Sequence, residues 1–323
     1  MKAVVLAGGY ATRLWPITKH RPKMLLPVGN ATVIDRIFSA LEDDERVETV
    51  YVSTNERFAD EFSDYLAQSA YQKTKLSIED TTSESEKFGV VGALAQLVRR
   101  EQINDDLLVV AGDNLIGFEL ADFIDYFEER ESATLAAYDV EDREKAKSYG
   151  LVELNGERVV DFQEKPDEPN STLVSIACYG FPKASLRFNE YLADGNNPDE
   201  PGWFIQWLYN REQVNAYVFN DAWFDIGTPE SYLEAVAWTL DGDKVIADSA
   251  TIDRSSIGPN VHVMPGATIR NSVLEETLVF EDATIEDCEI HESIIDEGTR
   301  IENVDLAGAL IGAHTRLTNG KDT

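Results

Sequence analysis

The sequence predicts an α/β domain with a doubly wound, mainly parallel sheet, followed by a parallel β-helix. Over the first 242 of the 323 residues, short apolar runs alternate with segments whose apolar residues have helical spacing. This order is typical of a parallel sheet with helices on both faces. From residue 243 onward, apolar residues recur every 16 positions, which indicates a β-solenoid. We therefore expect an α/β domain at residues 1–242 and a β-helix at residues 243–323.

The first part of the chain begins in the order strand, helix, strand, helix, strand. Residues 3–6, 50–52 and 76–78 are short apolar runs, whereas residues 33–41 and 58–66 carry apolar side chains at helical spacing. This βαβαβ order predicts a Rossmann-like sheet. Further strands are expected at residues 107–111, 133–140, 159–162, 174–181 and 214–219, and further helices at residues 184–192 and 203–209 and after Thr228, a residue suited to cap a helix.

The C-terminal repeat has a period of 16 residues. Its apolar positions form three ladders, namely Ile269, Ile285, Ile301 and Leu317; Val263, Val279, Ile295 and Ile311; and Leu274, Ile290 and Leu306. Steps of 5, 5 and 6 residues between the ladders predict a three-sided coil with four to five turns over residues 246–317. The corners at residues 257–261 and 264–269 resemble those of hexapeptide-repeat, left-handed β-helices.

A glycine-rich turn follows the first predicted strand. Gly8-Gly9 allows backbone N–H groups to come close to an anion, and α/β nucleotide sites begin with such a turn. Arg13 and Lys23 add positive charge, and no acidic residue precedes Asp35, although the chain has 60 Asp and Glu residues. This distribution favours a polyanionic ligand over a tight turn without a ligand.

The net charge of -32 is spread through the chain and not gathered in a tail. Such an acidic protein is not expected to bind nucleic acid. A basic partner could explain the charge, but its dispersal favours adaptation to molar salt, in which charges are screened. We therefore expect a halophilic, haloarchaeal cytoplasm.

The cysteines and the apolar runs agree with a cytoplasmic location. Cys178 and Cys288 lie one in each predicted domain, which suits reduced thiols. No signal peptide is expected, because Met1-Lys2 leads directly into a strand. No uncharged apolar run approaches the length of a membrane span, so no membrane association is expected.

Residues 6–28 carry a long motif that resembles a known signature. Leu-Ala-Gly-Gly-Tyr-Ala-Thr-Arg-Leu-Trp-Pro-Ile-Thr, followed by Pro-Lys-Met-Leu-Leu-Pro-Val, closely resembles the signature of the sugar-1-phosphate nucleotidylyltransferases (NDP-sugar pyrophosphorylases). Ala11 stands where that family usually has glycine. The resemblance implies a nucleotide site formed by Leu6, Ala7, Gly8, Gly9, Thr12, Arg13, Gly92 and Asp113, with Arg13, Lys23 and Lys165 as catalytic residues.

Two aspartates follow predicted strands in contexts similar to the family's metal ligands. Asp113 follows residues 107–111 as Gly112-Asp113, and Asp225 lies in Trp-Phe-Asp-Ile-Gly-Thr-Pro-Glu. The resemblance implies that Asp113 and Asp225 bind Mg²⁺, an ion that takes a few carboxylates together with phosphate oxygens and water. Gly92 lies in a segment that resembles a base- and sugar-binding segment of the family only in part. Close packing of small residues explains it about equally well.

A Glu164-Lys165-Pro166 motif follows Tyr149-Gly150. In the nucleotidylyltransferases, the glutamate of this motif binds sugar hydroxyls and the lysine binds the phosphate of the sugar-1-phosphate. The resemblance therefore implies that Gly150, Glu164 and Lys165 bind the sugar phosphate. A surface ion pair without a ligand is the alternative.

Together the motifs imply that the enzyme joins an NTP to a sugar-1-phosphate with Mg²⁺ and releases pyrophosphate. Glucose-1-phosphate with dTTP or UTP is favoured by overall likeness, but Met24 follows the signature lysine, so adenine and guanine stay open. A non-catalytic nucleotide-sugar sensor is one alternative. For the β-helix we expect a structural role and assembly of a homo-oligomer; acyl transfer by His262, His291 or His314 is the other alternative.

Overall fold

The computed structural model of the protein describes residues 1–79 and 88–319. These residues form two compact units. One consists of Met1–Gly9 and Ile34–Trp223, and the other joins Tyr10–Val33 to the chain from Phe224 onward. The glycine-rich segment between the first strand and the first helix thus belongs to the same unit as the C-terminal repeat. The expected domain division after residue 242 stays a prediction.

Helices are interspersed with strands up to residue 240. The helices are α1 (Asp35–Asp43), α2 (Ala59–Gln68), α3 (Val90–Arg100), α4 (Leu120–Arg130), α5 (Arg143–Ala146), α6 (Phe188–Ala193), α7 (Pro201–Leu208) and α8 (Pro229–Leu240). The strands are β1 (Lys2–Leu6), β2 (Pro27–Val28), β3 (Ala31–Thr32), β4 (Thr49–Asn55), β5 (Thr74–Glu79), β6 (Leu107–Ala111), β7 (Asn114–Ile116), β8 (Ala133–Asp139), β9 (Gly150–Asn155), β10 (Arg158–Glu164), β11 (Leu173–Phe181), β12 (Val214–Phe219) and β13 (Trp223–Asp225).

The first unit is built on a mixed sheet, nine-stranded in the described residues, in the order β5-β4-β1-β6-β11-β8-β12-β10-β9. The strands β5, β4, β1 and β6 are parallel, as expected. The remainder differs from the prediction of a mainly parallel sheet, since β11 is antiparallel to β6 and β8, and β9 is antiparallel to β10. For β9 and β10 the reason is local: only Gly156 and Glu157 separate the two strands, and parallel pairing needs a long crossover.

Helices cover both faces of this sheet. On one face, α3, α6 and α7 bury apolar side chains against the strands, with Leu94, Tyr191 and Phe204 among the buried residues. Gly180 of β11 lies between two residues that face this core, so its own position faces the opposite side. A Cβ atom on Gly180 would lie 2.6 Å from the ring of Phe127 in α4. Helix α4 therefore packs on the second face.

The chain from residue 244 forms three parallel sheets of short strands, β14 (Lys244–Ile246), β15 (Thr251–Asp253), β16 (Ser256–Ile257), β17 (Val261–Val263), β18 (Thr268–Arg270), β19 (Val273–Glu275), β20 (Leu278–Val279), β21 (Thr284–Glu286), β22 (Glu289–His291), β23 (Ile294–Ile295), β24 (Arg300–Glu302), β25 (Leu306–Ala307), β26 (Leu310–Ile311) and β27 (Arg316–Thr318). In each sheet, a strand is hydrogen-bonded to the corresponding strand of the next coil, as in a parallel β-helix.

The strand register confirms the period of 16. Ile269 pairs with Ile285, and Ile285 pairs with Ile301. The first coil is one residue longer, because Ile252 pairs with Ile269. The ladder residues form the interior of the coil. Because these interior positions are apolar, the coil was visible in the sequence as an apolar repeat. Nowhere in residues 1–79 and 88–319 is there a helix of the length and apolar character that a membrane crossing requires.

Candidate functional site

The carboxyl ends of β1 and β6 lie side by side in the first unit. Leu6 is paired with Ala111, and the Gly112 N–H donates to the Leu6 carbonyl oxygen at 2.9 Å. A Cβ atom on Gly112 would lie 2.9 Å from the same oxygen, so the close approach requires glycine. The turn after β1 and Asp113 after β6 therefore start from adjacent strands, as expected for a ligand site in a parallel sheet.

Two buried polar side chains hold the turn Ala7-Gly8. The Thr54 hydroxyl donates to the Ala7 carbonyl oxygen at 3.2 Å, and the Asn55 side-chain amide donates to the Gly8 carbonyl oxygen at 2.9 Å. Both donors are fully buried at the end of β4. The sequence analysis missed them, although a polar Ser-Thr-Asn run at the end of a buried strand was a visible signal.

Glu79 at the end of β5 also lies at this turn. Its Oε1 atom accepts a hydrogen bond from the Ser53 hydroxyl at 2.9 Å and would lie 3.3 Å from a Cβ atom on Gly8. Burial raises the pKa of the Glu79 carboxyl above its usual range. A partly buried carboxyl group therefore lies beside the glycine turn, and the sequence analysis did not single it out.

Asp113 is partly buried and is oriented by a chain of hydrogen bonds. The Asn114 side-chain amide donates to Asp113 Oδ1 at 2.9 Å, and Asn114 Oδ1 accepts the indole N–H of Trp223 at 2.6 Å. The Trp223 ring packs against the rings of Tyr138 and Tyr149, with centroids 5.7 and 5.1 Å away. Trp223 thus fixes the amide orientation of Asn114, and through it the donor that faces Asp113.

Glu164 is held between two glycines. Strand pairing places Gly150 opposite Glu164, and a Cβ atom there would lie 2.9 Å from Glu164 Oε2. On Gly202 the corresponding distance would be 1.6 Å. Burial, and next the nearby Glu200 carboxylate, raise the pKa of Glu164 to about 7, whereas Lys165 opposes the rise. The carboxylate therefore occupies a space that exists only because residues 150 and 202 lack side chains.

Lys165 is exposed and pairs with Glu200. Its Nζ atom lies 2.5 Å from Glu200 Oε1, and its backbone has a left-handed φ of 45°, which is uncommon outside glycine. Glu200 and Gly202 lie between the helices predicted at residues 184–192 and 203–209, and the sequence analysis gave neither residue a role. The signal for their role was the glycine at the start of the following helix.

Gly92 is used for packing. It is buried in α3, and a Cβ atom on it would lie 3.2 Å from the Phe88 Cβ atom. The N–H groups of Val90 and Val91 at the start of α3 donate to the carbonyl oxygens of Asp199 and Pro198, at 3.1 and 2.9 Å. These contacts support the close-packing interpretation, and a nucleotide contact by Gly92 stays a prediction.

In the second unit, the signature segment turns at Ala11. This residue has a left-handed backbone, with φ 48° and ψ 42°, and it precedes a 3₁₀ turn at Thr12–Leu14. The carbonyl oxygen of Ala11 accepts hydrogen bonds from the Thr18 hydroxyl at 2.8 Å and from the Leu14 N–H at 3.1 Å. Thr12 is exposed on this turn. The family's usual glycine at this position is explained by the left-handed backbone.

Arg13 lies near Gly227, two residues after Asp225, in the second unit. A Cβ atom on Gly227 would lie 3.6 Å from Nη2 of Arg13, and the Gly227 N–H donates to the Asp225 carbonyl oxygen at 2.8 Å. Thr228 caps α8 as predicted, since its hydroxyl oxygen accepts the Ser231 N–H at 3.2 Å. The helix start therefore fixes the backbone that carries Asp225 and packs against Arg13.

Lys23 starts a second 3₁₀ turn, Lys23–Leu25, and is buried. Lysine is seldom buried to this extent unless its charge is paired. Arg13 on the first 3₁₀ turn is exposed. Of the two predicted catalytic cations in the signature segment, Lys23 is therefore buried and Arg13 is exposed.

The predicted metal ligands are both partly buried carboxylates. The described part of the chain holds no cluster of three or more His, Cys, Asp or Glu residues suited to a metal. Mg²⁺ is commonly bound by one or two carboxylates, with phosphate oxygens and water completing the shell. The donor types of Asp113 and Asp225 fit this ion, and their pairing around it stays a prediction.

Comparison with known proteins places these motifs in a family. A relative from Sulfolobus acidocaldarius, named "Putative mannose-1-phosphate guanyltransferase", is 31% identical over 85% of this chain and 76% of its own length. The bifunctional protein GlmU of Methanocaldococcus jannaschii is 26% identical over 75% of this chain, which spans 55% of that protein. A crystal structure of a "Putative Glucose-1-Phosphate Thymidylyltransferase from Bacillus anthracis" has a TM-score of 0.64 at 23% identity, covering 74% of this chain and 95% of that one, and shows a similar fold.

The family comparison covers most of the chain. The model of the family described as "Nucleotidyl transferase" matches residues 2–242. This range contains the glycine turn, both aspartates and the Glu164-Lys165 motif. The chain therefore belongs to the nucleotidyl transferase family of enzymes.

Proposed function

We propose that the protein transfers a nucleotidyl group from an NTP to a sugar-1-phosphate and releases pyrophosphate. The observation that carries the sugar-phosphate part is the Glu164 carboxylate, held between Gly150 and Gly202 with Lys165 next to it. A buried acceptor for hydroxyl groups adjoins an exposed ammonium group suited to a phosphate monoester. The names of the relatives point to the same class of substrate.

The reaction needs positioning and charge neutralisation but no covalent intermediate. A phosphate oxygen of the sugar-1-phosphate attacks the α-phosphorus of the NTP in line, the bond to the bridging oxygen breaks, and pyrophosphate leaves. Arg13 binds the triphosphate and stabilises the charge that develops on pyrophosphate, and Lys23 lies at the reacting phosphates. Asp113 and Asp225 would hold Mg²⁺, which when bound supplies charge neutralisation at the α-phosphate oxygens.

Lys165 and Glu164 bind the sugar phosphate. Before the substrate arrives, Lys165 is neutralised by Glu200, so the phosphate replaces a carboxylate as its partner. Glu164 accepts hydrogen bonds from sugar hydroxyls when it is ionised. Its pKa of about 7 means that protonated and ionised forms both exist near neutral pH.

Two combinations of NTP and sugar-1-phosphate are candidate substrates. Likeness to the thymidylyltransferase group favours dTTP or UTP with glucose-1-phosphate. A second candidate is GTP with mannose-1-phosphate, in line with the name of the Sulfolobus relative. It is favoured by the Glu79 carboxylate beside Gly8, because a carboxylate only accepts hydrogen bonds and guanine offers two adjacent N–H donors.

The deciding experiment is pyrophosphate release from a panel of NTPs and sugar-1-phosphates with Mg²⁺ in molar KCl. Release with one preferred pair supports the enzyme and identifies its substrates. Lys165→Ala should lower the specificity constant for the sugar-1-phosphate at least tenfold. Lys147→Ala is the matched control, because the Lys147 side chain is exposed to a similar extent and forms an ion pair with Glu144 at 2.7 Å. No release by folded protein that binds nucleotide sugar would instead favour the non-catalytic sensor.

The β-helix is proposed to serve structure and assembly of a homo-oligomer. Acyl transfer in this part is tested by adding acetyl-coenzyme A and an amino-sugar phosphate to the same protein. Release of free coenzyme A above background would favour the bifunctional alternative. We expect none, since His262 is buried and burial lowers its pKa, while His291 pairs with Glu289 at 3.0 Å.

A further inference from the structure

Arg21 lies in the signature segment and contacts the β-helix of the same unit. Its Nη2 atom lies 2.9 Å from Glu297 Oε2 and 3.1 Å from Asp296 Oδ1. Its guanidinium carbon lies 4.7 Å from the ring centroid of Phe280. Phe280 and Asp296 are one coil apart in the repeat. The Arg21 guanidinium therefore contacts three side chains, which belong to two successive coils.

The Arg21–Asp296 pair is largely withdrawn from water, whereas the Glu297 side chain is 45% exposed. The Asp296 side chain is 3% exposed and that of Arg21 is 21% exposed. Asp296 Oδ1 also accepts the Glu297 N–H at 2.8 Å. A buried carboxylate that loses its cationic partner is strongly disfavoured, so the position of Arg21 relative to the coil is fixed by more than a surface ion pair.

Two further contacts fix the signature segment on either side of Arg21. A Cβ atom on Gly312 of the coil would lie 2.6 Å from Pro16 Cγ, so the proline ring packs against a bare backbone. On the other side, the hydroxyl of the buried Tyr232 in α8 donates to the Pro27 carbonyl oxygen at 2.7 Å. The segment is thus attached before, at and after Arg21.

We propose that Arg21 is a positioning residue, through which the β-helix holds the nucleotide-binding segment in its active conformation. Lys23 follows Arg21 after one rigid proline, whose φ is -63°, and the 3₁₀ turn that carries Arg13 ends two residues before Pro16. The β-helix then serves the transfer step as well as assembly. This inference rests on the proposed function, because Arg13 and Lys23 are assigned to the triphosphate there.

The test compares Arg21→Gln with Arg130→Gln in the full-length protein. Arg130 is a matched control: it forms a carboxylate pair with Glu157 at 2.8 Å and lies 4.6 Å from the ring centroid of Tyr126, but it belongs to the other unit. We expect R21Q to raise the KM for the NTP at least fivefold and to lower kcat, with the KM for the sugar-1-phosphate changed less than twofold. R130Q should behave as the wild type.

Arg21→Lys should recover part of the loss, because it keeps a cation at Asp296. A merely structural role would lower the amount of active enzyme and leave both KM values unchanged. An unchanged KM for the NTP in folded R21Q, or an equal change in both KM values, would overturn the proposal.

Hydrogen exchange of residues 10–33 gives a readout that does not depend on turnover. We expect faster exchange in this segment for R21Q than for R130Q and the wild type. If the wild type shows no transfer with any substrate pair, the proposed function fails. Faster exchange together with weaker NTP binding by R21Q would then still support positioning. Equal exchange in all three proteins would refute it.

Discussion

The carboxylate of Glu164 occupies the space that a side chain on Gly202 would need. A Cβ atom on residue 202 would lie 1.6 Å from Glu164 Oε2, far inside any non-bonded contact. The two residues lie on different elements, β10 and α7, so the glycine near the start of α7 determines where the carboxylate of β10 can stand. This relationship predicts that Gly202 acts in sugar-phosphate binding although it has no functional group.

Gly202→Ala should therefore displace Glu164 and weaken sugar binding. We expect the KM for the sugar-1-phosphate to rise at least tenfold while the KM for the NTP stays within twofold. The free energy of unfolding should fall by about 1–3 kcal/mol, which is typical of overpacking a core. Steady-state kinetics with each substrate varied in turn, together with urea denaturation, measures both effects. An unchanged KM for the sugar-1-phosphate would contradict the assigned role of Glu164.

The raised pKa of Glu164 predicts how stability depends on pH. Its pKa rises from 4.5 to about 7 because burial disfavours the charge. The folded protein therefore binds more protons than the unfolded chain between these values. The contribution of Glu164 to stability is largest at low pH and is lost as the pH rises from 4.5 to 7.

Glu164→Gln removes this titration and serves as the reference. We expect the stability of the wild type, relative to E164Q, to fall by about 1–3 kcal/mol between pH 4.5 and 7.5. In the proposed function ionised Glu164 accepts hydrogen bonds from sugar hydroxyls, so the KM for the sugar-1-phosphate should fall more steeply in the wild type than in E164Q as the pH rises through about 7. Denaturation and kinetics at matched ionic strength measure both. Parallel pH profiles of the two proteins would rule out the raised pKa.

Local sequence patterns predicted the parts of the site that depend on one strand and the turn after it. Gly8-Gly9 and Asp113 were each expected directly after a predicted strand, and the structure pairs these two strands, β1 and β6, in parallel. The buried apolar runs made both strands visible, and the glycines and the aspartate follow directly. The 16-residue ladder was visible for a similar reason, since each coil repeats one pattern in sequence.

The contacts that join distant segments were not predictable from local patterns. Arg21 and Glu297 are 276 positions apart, and a repeat pattern does not reveal which coil meets an arginine near the N-terminus. Asn55 and Glu79 are polar residues at strand ends, like many residues without a role. Their place beside the glycine turn came from the order of strands in the sheet, in which β4 lies next to β1 and β5 lies next to β4.

Substitution of Ala11 by glycine is expected to stabilise the folded protein. Its left-handed backbone, with φ 48°, is disfavoured for residues with a Cβ atom. Ala11→Gly should raise the free energy of unfolding by about 0.5–1 kcal/mol, after allowance for the greater freedom of glycine in the unfolded chain. Glu131→Gly is a matched control, because Glu131 has φ 47° at the exposed end of α4.

Both variants should be stabilised by a similar amount in urea denaturation. Only A11G lies beside Thr12 and Arg13, so only A11G should change the KM for the NTP, and we expect a decrease. If A11G is destabilised while E131G is stabilised, the Ala11 methyl group contributes packing that outweighs the backbone strain.

Substitution of Trp223, which is not one of the proposed metal ligands, is expected to change the Mg²⁺ dependence of the activity. Its indole N–H donates to Asn114 Oδ1 at 2.6 Å, and Asn114 in turn donates to Asp113. Trp223→Phe keeps most of the aromatic packing but removes the only donor of the ring, so the Asn114 amide loses its fixed orientation. We expect about a tenfold rise in the Mg²⁺ concentration needed for half-maximal activity, with stability lowered by about 1 kcal/mol.

Trp238→Phe is the control, because Trp238 is exposed and lies in the other unit. Titration of activity with Mg²⁺ at saturating substrates distinguishes the two variants. An unchanged Mg²⁺ requirement in W223F would show that the orientation of the Asp113 carboxylate does not depend on this hydrogen-bond chain.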